Sequence, residues 1–204
     1  MRPFSARNFS FGLICAGLLL IAVSAERCLA HGGPPLRLGV TADPVVSAVA
    51  RLVLVHLREG VGFAVDWREF PDETALRAAF AGGRIDIAIA VTGTEDPSSP
   101  TPVPADCPSE KLAVLGESLR RRWGGEAFLL GHSVGPSACV RPALIVSRAV
   151  LDDLRFGILR KEAGRMAAFI TREDVTAVRS AAGSGGERTA TAAARAALTA
   201  KAKR

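Results

Sequence analysis

Tyrosine is absent from this chain of 204 residues, which holds only two tryptophans, three histidines and four cysteines. His31, His56 and His132 lie far apart and the cysteines are unclustered, so no zinc-ligand spacing exists and neither metal nor cofactor is expected. No segment recurs at a fixed period, which excludes a solenoid or a collagen-like repeat. The apolar run Phe11 to Val23 has thirteen residues, short of the roughly 20 that a helix needs to cross a bilayer. Gly32-Gly33 and Gly183-Ser184-Gly185-Gly186 lack the Lys-Ser/Thr of a phosphate loop, so the first reads as a leader and the second as a loop between helices. What is present is a globular composition, 49% hydrophobic and 23% charged, enough to build a core and to rule out disorder throughout.

Arg2 and Arg7 precede the apolar run, and small residues follow it at Val23-Ser24-Ala25 and Cys28-Leu29-Ala30. This layout predicts a secretory signal over residues 1–30, cleaved after Ala25 or Ala30, and a mature protein in the periplasm or secreted. Glu26 and Arg27 stand directly before Cys28, which argues against a lipid anchor. Removal of the signal leaves Cys107 and Cys139. In an oxidising compartment they either form one disulfide or stay apart as two small buried residues, and spacing alone does not decide. Residues 157–204 carry ten basic and four acidic side chains, spread among alanines at helical intervals rather than interleaved with stacking aromatics. A solvated helix face is expected there, and no nucleic acid.

Leu36 to Val40 reads as a short strand, after which Asp43-Pro44 supplies a helix N-cap and a proline at the first helical position. Val45, Val46, Val49, Leu52, Val53 and Leu57 recur at helical spacing as far as Gly60. Phe63, Val65 and Trp67 alternate as a strand, Pro71-Asp72 opens a second helix ending at Gly82-Gly83, and Ile85 to Val91 is a third strand. The order β-α-β-α-β over residues 31–94 predicts a parallel sheet with right-handed crossovers. Residues 95–108 are a proline-rich linker. Residues 109–156, with a helix around Leu112 to Trp123 and strands at Ala127 to Leu130 and Ala143 to Val146, form either a reduced second lobe or the remainder of the sheet. Residues 157–204 are helices packing on the first lobe, one of them opened by a capping-box-like Thr171 to Asp174.

A strand followed by Gly131-His132-Ser133-Val134-Gly135 matches the nucleophile elbow of serine hydrolases. That chemistry takes its histidine from after the serine, and none follows His132. The motif therefore reads as a glycine-containing turn, with hydrolysis only a remote alternative and no enzyme expected. In open α/β sheets the binding crevice lies outside the carboxyl ends of the strands. Thr41 and Asp43 end the first strand, and Thr92, Gly93 and Thr94 the third; together with Ser137 these are the candidate ligand-binding residues. The blander account is that Asp43 caps its helix and the threonines satisfy turns.

Ile85-Asp86 leading to Thr92-Gly93-Thr94, behind Leu76-Arg77-Ala78-Ala79-Phe80-Ala81-Gly82-Gly83-Arg84, resembles the first lobe of the solute-binding proteins of glycine betaine, choline and proline ABC importers. Pro142 to Val146, Val150-Leu151, Thr171 to Asp174 and the alanine-rich last helix are similar to that family's closing segments. The resemblance implies a periplasmic-binding-protein-like α/β fold, shortened in the second lobe. It also implies a monomer that captures a small polar or cationic solute and delivers it to a membrane permease in transmembrane transport. The sequence departs from the family where Val91 replaces a tyrosine of the aromatic cage that holds quaternary ammonium by cation–π attraction. Betaine or choline specificity is accordingly not carried over. The alternative is a degenerate receptor-like domain that binds a protein partner.

Overall fold

Residues 34–92, 107–131, 133 and 140–202 are described by a computed structural model. Five strands, β1 (Leu36–Thr41), β2 (Val65–Phe70), β3 (Ile87–Val91), β4 (Glu126–Leu129) and β5 (Pro142–Val146), form one sheet of order β2-β1-β3-β5-β4. β1 is parallel to both β2 and β3, with Leu38 opposite Trp67 on one side and Ile87 on the other. β5 runs antiparallel to β3 and to β4. The parallel unit expected over residues 31–94 is present as β2-β1-β3, β4 shares its direction, and β5 alone among the five strands is reversed. Only residues 130–141 join β4 to β5, at the lower limit for a parallel crossover and ample for an antiparallel return. Segment 109–156 thus supplies two strands to the same sheet as β1–β3.

Strand periodicity sorts the core into two layers. Leu36, Leu38 and Val40 of β1, Ile87 and Ile89 of β3, and Leu144 and Val146 of β5 are buried on one face. They pack beneath α1 (Pro44–Val55), α5 (Leu159–Phe169) and α6 (Arg172–Ala202). The other face carries the smaller Ala88, Ala90 and Ala143 with Ile145. Against it lie Leu76, Ala79 and Phe80 of α2 (Glu73–Ala81) and Leu119 and Trp123 of α3 (Ser109–Trp123). Because both faces are covered, β3 and β5 read as unbroken apolar runs rather than alternating ones. The whole is a mixed α/β architecture, one five-stranded sheet with helices on both faces.

Local chemistry sets the helix ends. Asp43 Oδ1 accepts from the amides of Val45 at 2.8 Å and Val46 at 2.9 Å, with Pro44 at the first helical position, so α1 starts where the sequence placed it. The regular helix does not continue to Gly60: from His56 to Val61 the backbone widens into a π-helical turn that ends at Gly62, whose φ is 87°. α2 is capped by the Asp72 side chain on the Ala75 amide. The Thr171–Asp174 capping box is reciprocal, the Thr171 amide donating to Asp174 Oδ2 and the Asp174 amide to Thr171 Oγ1. Between β5 and α5 lie the short α4 (Arg148–Leu151) and a single 3-10 turn, Leu154–Phe156.

The loop expected at Gly183 to Gly186 shrinks to one residue. Helix α6 is continuous through Gly185, and the break falls at Gly186 alone, with φ 70° and ψ −158°, a conformation open only to glycine. A glycine inside a helix costs about 1 kcal/mol but introduces no clash, so Gly183 and Gly185 are tolerated. The kink brings Lys201 back to Asp174 and to the carbonyl of Phe169, to both of which its ammonium donates. The returning half, residues 187–202, lies on α1 and the π-helical turn, where Arg51 of the helix pairs with Glu187 and Glu59 of the turn with Arg195. Among the described residues no helix is long and apolar enough to cross a membrane, and no group of three or more His, Cys, Asp or Glu is placed to hold a metal ion.

Candidate functional site

β1 and β3 are neighbours, yet the helix after β1 packs on one face of the sheet and the helix after β3 on the other. Such a switch point parts the loops at the carboxyl ends of the two strands, where open α/β sheets hold ligands. Thr41, half-buried, is the last residue of β1, and Asp43, exposed, follows it. The Leu38–Ile87 register, continued along the two strands, sets Asp43 level with Thr92. Thr41, Asp43 and Thr92 therefore sit at the same end of the sheet.

Their side chains are differently engaged. Asp43 commits Oδ1 to the two amides of α1, and Oδ2 makes no hydrogen bond among the described residues. Thr92 is 1% exposed, its amide donates to the Arg141 carbonyl at 2.8 Å, and its Oγ1 accepts from the Arg141 amide at 2.8 Å. The hydroxyl thus extends the β3–β5 ladder by one rung and joins the ends of the two strands. Arg141 also donates from Nη1 to the Gly131 carbonyl at 2.8 Å, tying the chain after β4 to the same end of the sheet. Sequence patterning held no sign of this arginine, because nothing local links position 141 to position 92. Gly93, Thr94 and Ser137 lie outside the described residues.

Asp86, carried by the family-like Ile85-Asp86 pair, belongs to the opposite end of the strands. Its carboxylate accepts from the Arg37 amide at 2.8 Å, from Nε at 2.8 Å and from Nη2 at 2.6 Å, locking β1 to the start of β3. This bond to the carboxylate raises the Arg37 guanidinium above its already high value. The residue is a clamp between strands, remote from the crevice.

No protein-family model matches the chain, and no curated protein matches it. Among solved structures, a C206 mutant of Corynebacterium glutamicum OxyR aligns with a TM-score of 0.34 and 11% identity, covering 89% of this chain and 78% of that one. An alignment that loose assigns neither family nor function.

Of the serine-elbow motif, Gly131 and Ser133 are described; Ser133 is half-buried and the Gly131 amide donates to the Ala167 carbonyl at 2.9 Å. His132, Val134 and Gly135 lie outside the described residues. His56, upstream of the motif, opens the π-helical turn and hydrogen-bonds through Nε2 to Glu162 Oε2 at 2.9 Å. Cys107 is disulfide-bonded, while Cys139, the partner the sequence offers, lies outside the described residues.

Proposed function

We propose that this chain is the extracytoplasmic solute-binding component of an ABC importer, reduced to little more than one lobe, which captures a small polar or cationic solute and hands it to a membrane permease without covalent chemistry. The observation that carries the proposal is the switch point between β1 and β3 with the Asp43 carboxylate at its rim, one oxygen fixed by α1 and the other without a hydrogen bond among the described residues. A carboxylate oriented in this way favours an ammonium or guanidinium group. The only tryptophans are Trp67, which lies under the Arg51 guanidinium 4.8 Å from its ring centroid, and Trp123, which is buried in the core. Neither offers an open face at the strand tips for a quaternary ammonium, so primary amines and amino acids are favoured over betaine.

A thermal-shift screen of the exported protein against betaine, choline, proline, other amino acids and polyamines tests this. A cationic solute at a hundred times its Kd stabilises by about 2.7 kcal/mol, a rise in Tm of roughly 5–10 °C for a domain of this size. Asp43→Asn keeps a competent N-cap and abolishes the shift. Tight betaine binding overturns the specificity; silence from every solute overturns the transport reading in favour of the partner-binding module.

A further inference from the structure

A second cleft, of about 430 Å³, is lined by His56, Arg165, Ala168, Phe169, Leu198 and Lys201. It lies where the π-helical turn, α5 and the end of α6 meet, away from the strand tips. π-helical turns are rare, strained insertions that collect at functional sites. This one places His56 on the cleft with Gly60 beside it, and a Cβ at Gly60 would come within 3.3 Å of His56 Nδ1. The glycine leaves that side of the imidazole uncrowded.

Apolar and polar groups are sorted within the lining. Phe169, Leu198 and Ala168 supply the apolar surface, and the Phe169 ring lies 5.2 Å from that of His56. The three polar members are all nitrogen donors, and no acid lines the cleft among the described residues. Acids stand behind them instead: Glu162, 8% exposed, holds His56 through one oxygen and Arg165 through the other, each at 2.9 Å, and Asp174 holds Lys201. Burial would raise the Glu162 carboxyl, but the hydrogen bonds from His56 and Arg165 outweigh it and keep it below its ordinary value. The donors are thereby fixed before any ligand arrives, which lowers the ordering cost of binding. Two carboxylates are set against Arg165 and Lys201, so the lining holds no surplus of fixed charge to balance a dianion.

We infer that this cleft is a second ligand site, one that takes a small monocarboxylate on an apolar body, such as a single-ring or short-chain organic acid. Its volume is at the lower end of the range for ligand pockets, fitting one ring or a short chain rather than a nucleotide. The carboxylate meets His56, Arg165 and Lys201, and the body lies against Phe169 and Leu198.

Calorimetry on the full exported protein tests the site with benzoate and hexanoate, with benzyl alcohol and hexanol as uncharged counterparts, and with inorganic phosphate. The acids bind, and the alcohols bind about tenfold more weakly, the loss expected for a charge-assisted hydrogen bond. Arg165→Gln, at a side chain 62% exposed, keeps an amide donor in reach of Glu162 and weakens benzoate about tenfold. Lys201→Gln does the same, while Asp43→Asn leaves benzoate binding unchanged, which separates this site from the one at the strand tips. Equal binding of acids and alcohols, tighter binding of phosphate than of benzoate, indifference to Arg165→Gln, or no heat from benzoate up to about 10 mM each overturns the inference.

Discussion

A methyl group on Gly39 would lie 2.4 Å from Leu76 Cδ1 and 2.9 Å from Ile85 Cγ2, closer than packed carbon atoms approach. Gly39 is therefore a contact point between β1 and α2, and the alanines of β3 and β5 continue the same shallow face. Gly39→Ala lowers stability by about 1–3 kcal/mol, the usual cost of overpacking a filled core. Gly164, exposed within α5, has open space within 4 Å of the position a methyl would take. There the same substitution raises stability by about 0.5–1 kcal/mol through helix propensity and the unfolded state. Urea unfolding of the two variants checks the opposite signs. At this scale the sequence was legible where the chemistry is local: Asp43 before a proline, Asp72 after one, Thr171 three residues before Asp174. It was not legible where a partner comes from far along the chain. Thr92 read as a candidate ligand residue and Asp86 as part of a segment resembling a family, and each is engaged by a residue 49 positions away.

Helices α5 and α6 are less apolar than α1 and the central strands, so polar ties matter to their seating. Lys201 closes the two halves of α6 onto each other by donating to Asp174, and that carboxylate also accepts from the Thr171 amide and hydroxyl. Burial alone would raise the Asp174 carboxyl, but the hydrogen bonds from Lys201 and Thr171 prevail and hold it below its ordinary 3.8. A depressed carboxyl contributes stability above its unfolded value, and that contribution disappears as pH falls through the folded one. The melting temperature of the wild type therefore drops more steeply between about pH 5 and pH 3 than that of Asp174→Asn, which is already less stable at neutral pH. Equal slopes in a pH series of thermal melts would refute the clasp. Helical periodicity foretold α1 and α3, but not the π-helical turn, because the apolar spacing runs on through Leu57 while the backbone widens at His56. Glycine clustering likewise overstated the gap in α6, since only the φ of 70° at Gly186 breaks the helix.

For the molecule as a whole, the βαβαβ half of the sheet was written plainly in alternating patterns and caps. The reversed strand was not, because an apolar run such as Pro142–Val146 carries no mark of its direction. The disulfide belongs to this scale. Cys107 is bonded, and we propose Cys139 as its partner, the one other cysteine that a cleavage after Ala30 would leave. Non-reducing peptide mapping of the exported protein yields a Cys107–Cys139 link, and reduction costs about 2–5 kcal/mol of stability; two free thiols in the exported protein would refute the pairing. The position of β5 also governs the order of events in folding. It is the last of the five strands to be synthesised, yet it stands between β3 and β4, so β4 has no ladder to join until residues 142–146 arrive. The face over α1 is in turn sealed only by residues 187–202. Pairings of such long sequence separation are slow to form and leave strand edges open meanwhile. An N-terminal fragment ending before β5 therefore holds β2-β1-β3 with the β3 edge open, and the fold is complete only when nearly all of the chain is free. Under the export that the proposed function requires, this delay would keep the chain threadable until the passage is almost complete.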